Sequence, residues 1–187
     1  DACATCHSRR SQFAEGWRPG KPLMDYYRPV LLTPDLFEDD GQMRGEVFNL
    51  SSFLQSKMHA KGVTCGDCHA PHSGQLRAQG AAVCTQCHAA ETFAAPSHTG
   101  HAPMGAPNCI ACHMPARNYM TIDRRHDHSF RIPRPDLTMS LGTPNTCNDC
   151  HRDKDAAWAA AAIEDWRGPQ RKGFQTYARA FHAARDR

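Results

Sequence analysis

Aromatic residues make up only 8% of this 187-residue chain, and the 40% that is hydrophobic includes ten cysteines. No apolar run approaches the roughly 20 residues needed to span a bilayer, so no segment reads as a membrane-crossing helix. Side chains alone would build a thin core. Glycine and proline contribute 13 residues each, so much of the chain must be turn and irregular structure. Also missing is any solitary cysteine. All ten fall into pairs spaced by two residues, and each pair is followed at once by histidine: CATCH from Cys3, CGDCH from Cys65, CTQCH from Cys84, CIACH from Cys109 and CNDCH from Cys147.

Cys-x-x-Cys-His is the attachment signature of a c-type haem. Two thiols at this spacing add to the two vinyl groups of one porphyrin, and the next residue places an imidazole under the iron from the same short turn. A lone cysteine pair reads equally well as part of a zinc site or as a redox dithiol. Histidine is 12 of 187 residues, about 6%, so chance placement after all five pairs is of order one in a million. Zinc sites also group such pairs into fours, which ten cysteines do not divide into. The sequence therefore predicts five covalent haems, held by Cys3, Cys6, Cys65, Cys68, Cys84, Cys87, Cys109, Cys112, Cys147 and Cys150. Their proximal iron ligands are His7, His69, His88, His113 and His151.

One haem for about every 37 residues would supply the apolar surface that the side chains lack. The core is then largely cofactor, and the haem-free chain is expected to be mostly unfolded. Counting the haems also changes the charge. The formal +3 looks mildly basic, but each ferric haem with its propionates adds about −1, so five shift the total by about −5. Arg9-Arg10, Arg124-Arg125, Arg131 and Arg134 then read as propionate partners or surface charges rather than a nucleic-acid stripe.

Seven histidines remain for the sixth coordination positions. His72 lies three residues past His69, too close to return over the same porphyrin, so it is expected to reach a neighbouring iron. His98, His101 and His128 stand in Gly/Pro-bounded loops where a ring can be aimed freely, and His59 precedes the second motif. These five are the expected distal ligands. His126, two residues from His128, reads as solvated or near a propionate, and His182 as a helix-surface residue. Met58, Met104, Met114, Met120 and Met139 could ligate instead and raise the potential, but with enough histidines they read as core filler.

Along the chain, CHSRRSQFAEG reads as a short helix ending at Gly16, and residues 17–45 as a Pro- and Gly-punctuated wrapping loop. Val47, Leu50, Phe53, Leu54 and Met58 give helical spacing over Glu46 to Met58. Residues 114–146 read as extended with Pro-directed turns. An Ala-rich helix is expected from Asp153 to Trp166, stopping at Gly168-Pro169, and a second from about Gln170 to Ala184. Trp17, Trp158 and Trp166 read as packing residues. The predicted fold is mostly irregular with short α-helices and no substantial β-sheet, a multihaem cytochrome c fold organised around a row of haems. It forms a single domain over 1–187 with a helical C-terminal segment about 153–185.

The stretches CATCHSRRSQF, FLQSKMHAKGVTCGDCHAPHSGQLRAQG, CIACHMPARNYMTIDRRHDHSFRIPRPDL and LGTPNTCNDCHRDKDAAWAAAAIEDW resemble the multihaem c-type cytochromes that carry tetratricopeptide repeats. The resemblance covers most of the chain, although the helical repeats themselves are absent from it. It implies that the histidines of CHAPHSG and DHSF, and those before CIACH, are ligands, which supports His72, His128, His98 and His101. The residue matching His59 varies in relatives.

Filled coordination spheres imply electron transfer without catalysis. The expected role is a carrier, a subunit of a larger redox complex or a protomer of an extracellular filament, with other redox proteins, haem cytochromes or further copies of itself as partners. The alternative is a multihaem nitrogen or sulfur oxyanion reductase or hydroxylamine-type oxidase, which would need one five-coordinate haem. Because c-type haem is attached outside the cytoplasmic membrane, a periplasmic or extracellular location is expected. With no signal peptide and the first cysteine at residue 3, the sequence is read as a processed form or a piece of a longer protein.

Overall fold

The computed structural model describes residues 1–102, 104–169 and 173–185. Helices are short: α1 Leu50–Phe53, α2 Lys57–Ala60, α3 Cys65–Cys68, α4 Ala82–Thr85, α5 Ala90–Phe93, α6 Pro96–Thr99, α7 Cys109–His113, α8 Pro135–Leu141, α9 Cys147–Cys150, α10 Ala156–Arg167 and α11 Ala178–Arg185. Two small antiparallel pairs accompany them, β1 (Arg10–Gln12) with β2 (Tyr27–Pro29) and β3 (Ala116–Tyr119) with β4 (Asp123–His126). The rest is turn and loop, as the composition requires. Among the described residues no helix is long and apolar enough to cross a membrane.

The protein core is small, and its first half comes from a region read as loop. Phe37, Met43, Val47 and Tyr119 are buried together, with Val30, Leu32 and Leu36 against them. Tyr119 closes this cluster from β3 and donates its hydroxyl to the Met43 carbonyl at 3.2 Å. A second apolar contact joins α8 to α10, where Leu137, Ala159 and Ile163 are buried. Between them lies a buried polar group. The Arg131 guanidinium reaches the Asp40 carbonyl at 2.6 Å, Gln55 Oε1 at 3.2 Å and the Asp127 carboxylate at 3.5 Å. Tyr177 donates to Gln55 Oε1 at 2.6 Å from the C-terminal segment.

Several local expectations change. The stretch after the first motif is not helical. Arg10 to Gln12 pairs with Tyr27 to Pro29, and the Arg10 guanidinium lies 4.6 Å from the Tyr27 ring centre, so a tertiary partner overrides a weak helical preference. The expected helix over Glu46 to Met58 is broken. Phe48 takes a left-handed φ of 59°, Ser52 Oγ bonds the Asn49 carbonyl, and Ser56 Oγ accepts from the His59 N–H to start α2. Serine hydroxyls here compete with the helical ladder. Residues 114–146 contain the β3–β4 hairpin and α8, where Pro135 occupies the first turn that tolerates it. Met104, Met120 and Met139 are exposed rather than core filler. Arg131 and Arg134 are buried in ion pairs, Arg134 with Asp136 at 2.6 Å, and so are not surface charges.

The Ala-rich helix forms as read, over Ala156–Arg167, with Asp155 accepting from the Trp158 N–H at 2.8 Å and Gly168 at its end. The expected last helix begins at residues 170–172, outside the described residues. From Phe174 it runs as a 3-10 turn into α11. Its His182 is half-buried and bonds the buried Asp39 carboxylate at 2.7 Å, with Arg185 on the other oxygen at 2.6 Å. It is a tether rather than a surface residue.

Candidate functional site

Each cysteine pair lies on a single tight turn. In four of the five motifs the histidine N–H donates to the carbonyl of the first cysteine: His7 to Cys3 at 2.9 Å, His69 to Cys65 at 2.9 Å, His88 to Cys84 at 3.0 Å and His151 to Cys147 at 2.9 Å. The fifth, Cys109–His113, is helical throughout as α7. This bond brings both thiols and the imidazole to one side of one turn. Two of these turns are set by caps legible in the sequence. Asn108 accepts from the Ala111 N–H at 3.0 Å, and Asp67 accepts from the Thr64 N–H at 2.7 Å.

The motifs follow one another in space in chain order. Cys65 lies beside Cys3, Cys68 near Cys87, Cys84 beside Cys109, and Cys112 near Cys147 and Cys150. Burial pushes the thiols of Cys65, Cys68, Cys112 and Cys147 up, and that of Cys84, with Cys109 adjacent, up to about 11. Among the described residues no group of three or more His, Cys, Asp or Glu side chains gathers to hold a bare metal ion. The cysteine pairs line up; they do not converge in fours.

Histidine rings face each other in three pairs. His69 and His128 have ring centres 6.5 Å apart with planes 29° from parallel. His98 and His113 stand 6.0 Å apart at 23°, and His101 and His151 6.0 Å apart at 26°. Each pair joins one motif histidine to one of the loop histidines singled out from the sequence. A metal takes imidazole nitrogen at about 2 Å, and adding the distance from nitrogen to ring centre on both sides gives about 6 Å between centres. The spacing therefore fits two imidazoles on opposite sides of one iron.

Four of these six rings have Nδ1 on a backbone carbonyl. His113 bonds Arg131 O at 2.5 Å, His101 bonds Thr99 O at 2.6 Å, His128 bonds His126 O at 2.9 Å and His69 bonds Gly74 O at 3.4 Å. Such bonds fix the tautomer and leave Nε2 free to take a metal. Burial lowers the pKa of His128, and burial followed by the Arg167 charge lowers that of His98, both shifts favouring the neutral form that a metal needs.

Loop histidines are aimed by features around them. Pro96 opens α6 and Gly100 ends it in the left-handed conformation, φ 68°. A side chain at Gly100 would stand 2.8 Å from the Trp166 ring, so only glycine lets this loop close onto α10. Trp166 Nε1 donates to Ser97 O at 3.1 Å, and the Trp158 ring lies 4.8 Å from the His151 ring. Helix α10 thus supports both the loop carrying His98 and His101 and the turn carrying His151. The tryptophans were legible as packing residues; Arg167, which bonds the His98 carbonyl, was not singled out. Beside His128, Phe130 takes a left-handed φ of 49° and packs edge-on at 6.1 Å; strain of this kind persists where the surroundings over-determine it.

Among the described residues no histidine ring faces His7 or His88. His59 is exposed with its ring against Phe53 at 5.4 Å, and His72 is exposed. His126 is half-buried and bonds Met114 O at 2.7 Å. Near His7 a cavity of about 320 Å³ is lined by Cys6, His7, Phe48, Asn49 and Arg125.

Residues 58–93 match the family model of a doubled CXXCH motif. No curated protein sequence matches the chain. Its fold is similar to the crystal structure of the outer cell wall cytochrome OcwA, with a TM-score of 0.60 and 19% identity over 88% of this chain and 51% of that one. The chain spans about half the length of OcwA, and at this identity the likeness is one of fold.

Proposed function

From a chain with the fold and the paired attachment motifs of a multihaem c-type cytochrome, we propose that it carries electrons along five covalently attached haems, one at each Cys-x-x-Cys-His turn. The three facing histidine pairs carry this reading. They support His69/His128, His113/His98 and His151/His101 as the axial ligands of three irons. His7 and His88 ligate the other two; of the four histidines then left, His59, His72, His126 and His182, His59 and His72 are the two that the sequence offers to complete them. An iron filled on both sides has no place for substrate, so it exchanges electrons only. The chain-order neighbouring of the motifs supports a row with the first and fifth haems at its ends.

The motif stretches quoted above support placing the chain with the tetratricopeptide-bearing multihaem cytochromes. Haem attachment outside the cytoplasmic membrane supports export to the periplasm or cell exterior. Its partners are then other redox proteins, further haem cytochromes or copies of itself in a larger complex or filament. Pyridine haemochrome quantitation of the holoprotein should give five haems per chain, and low-temperature EPR should give low-spin ferric signals only.

One observation favours a second reading. Besides Cys6 and His7 of the first motif, the cavity there is lined by Phe48, Asn49 and Arg125, with no second histidine and no methionine. An enzyme reducing a nitrogen or sulfur oxyanion would use such a polar, cationic face above a five-coordinate iron. A stoichiometric high-spin ferric signal that shifts on adding nitrite, sulfite or hydroxylamine would favour it over the carrier.

A further inference from the structure

The three histidine pairs are not equivalent in what surrounds them. Wherever a hydrogen bond reaches Nδ1 of His69, His101, His113 or His128, the partner is a backbone carbonyl. His98 differs. Its Nδ1 faces Arg167 Nη2 at 3.5 Å, and the same guanidinium nitrogen donates to the His98 carbonyl. Arginine has donors only and stays charged at every accessible pH. It brings a fixed positive charge where the other rings have a partial negative one.

The charge is held in place. The guanidinium stacks over the Trp166 ring at 4.3 Å, and Trp166 is tied to Ser97 O in the loop that carries His98. Among the described residues no carboxylate pairs with Arg167. Its exposure means that solvent screens part of its field, which keeps the effect moderate.

The electrostatic consequence has a definite sign. Ferric iron carries one more positive charge than ferrous iron. A carbonyl drawing on an Nδ1–H makes the ring more electron-rich and favours the ferric state, and a neighbouring cation does the opposite. We propose that Arg167 raises the reduction potential of the haem held between His98 and His113, making the fourth haem a charge-tuned site within the row. This rests on the reading that these two rings flank one iron.

The test uses the holoprotein and spectroelectrochemistry, with EPR to follow ligation. Arg167→Gln should lower one midpoint by about fivefold in the oxidised-to-reduced ratio, about 40 mV at 59 mV per decade for one electron. Arg167→Lys should keep most of the original value. The number of low-spin signals should be unchanged in both, and the midpoint that moves should belong to the haem that turns high-spin in His98→Ala. An unmoved midpoint in Arg167→Gln overturns the proposal. A raised midpoint also does, since it would mean that the arginine stabilises a deprotonated His98. Loss of a low-spin signal in Arg167→Gln would make Arg167 a structural latch and overturn it as well. If His98→Ala produces no high-spin haem, the ligand reading itself has failed, a result separate from any failure of the tuning.

Discussion

Arg131 joins His113 to the buried polar core. Its carbonyl accepts from His113 Nδ1 at 2.5 Å, and its guanidinium bonds the Asp40 carbonyl at 2.6 Å and lies 3.5 Å from the Asp127 carboxylate. Asp127 in turn accepts from the Ser129 N–H at 2.8 Å and the Met43 N–H at 3.3 Å. One residue therefore orients a motif histidine and anchors the segment to the first hydrophobic cluster. The same guanidinium lies 3.8 Å from the Asp40 carboxylate, so Arg131→Met leaves two buried carboxylates, of Asp40 and Asp127, without their cation, and removing one partner of such a group costs about 3–5 kcal/mol. Chemical denaturation of the holoprotein should show a loss of that size.

His98→Ala, His101→Ala and His128→Ala should each convert one low-spin haem to high-spin while leaving haem stoichiometry unchanged, because the thioether bonds do not depend on the distal ring. His126→Ala should leave all low-spin signals in place, since among the described residues no motif histidine ring faces it. EPR at low temperature, with haemochrome counting, checks both.

Gly100→Ala places a Cβ 2.8 Å from the Trp166 ring at a residue with φ 68°. Overpacking and backbone strain together should cost about 1–3 kcal/mol. The spectroscopic change should appear at two haems rather than one, because His98 and His101 flank this glycine. Magnetic circular dichroism of the variant would show it.

Burial pushes the phenols of Tyr119 and Tyr177 up to about 12, from an ordinary value of about 10. The fold favours their neutral form. Their contribution to stability is whole below about pH 10 and is lost as the pH rises from about 10 toward 12. Thermal melts across this interval should fall for the natural protein and fall less steeply for Tyr119→Phe/Tyr177→Phe.

Among the described residues only ten hydrophobic residues are buried, four of them in the one cluster of Phe37, Met43, Val47 and Tyr119. A haem-free preparation should therefore lack a cooperative melt, and far-UV circular dichroism of unloaded chain measures this.

The motif turns, α10 and the irregular character were legible because each depends on local sequence: invariant spacing, an alanine run, abundant glycine and proline. Where the reading failed, distant partners decided. The β1–β2 pairing rests on residues 15 or more positions apart, and the break between α1 and α2 on serine hydroxyls that periodicity does not weigh. The loop over residues 17–45 hides the first core cluster because Phe37 and Met43 find their partners in Val47 and Tyr119. His98, His101 and His128 could be named as free to ligate, but not matched to motif histidines, since spacing along a chain says nothing about which ring it faces. Arg167 carries no motif at all, and only its position at the end of α10 brings it to His98.

His98 and His101 are separated by two residues yet face motif histidines from two different turns, His113 and His151. Whatever the two rings hold is linked by a tether of three peptide units, short enough to be insensitive to breathing elsewhere in the chain. A disturbance of this loop therefore reaches both rings. On the proposed ligation, the stretch is a spacer between two redox centres, and its length sets how far apart they can drift.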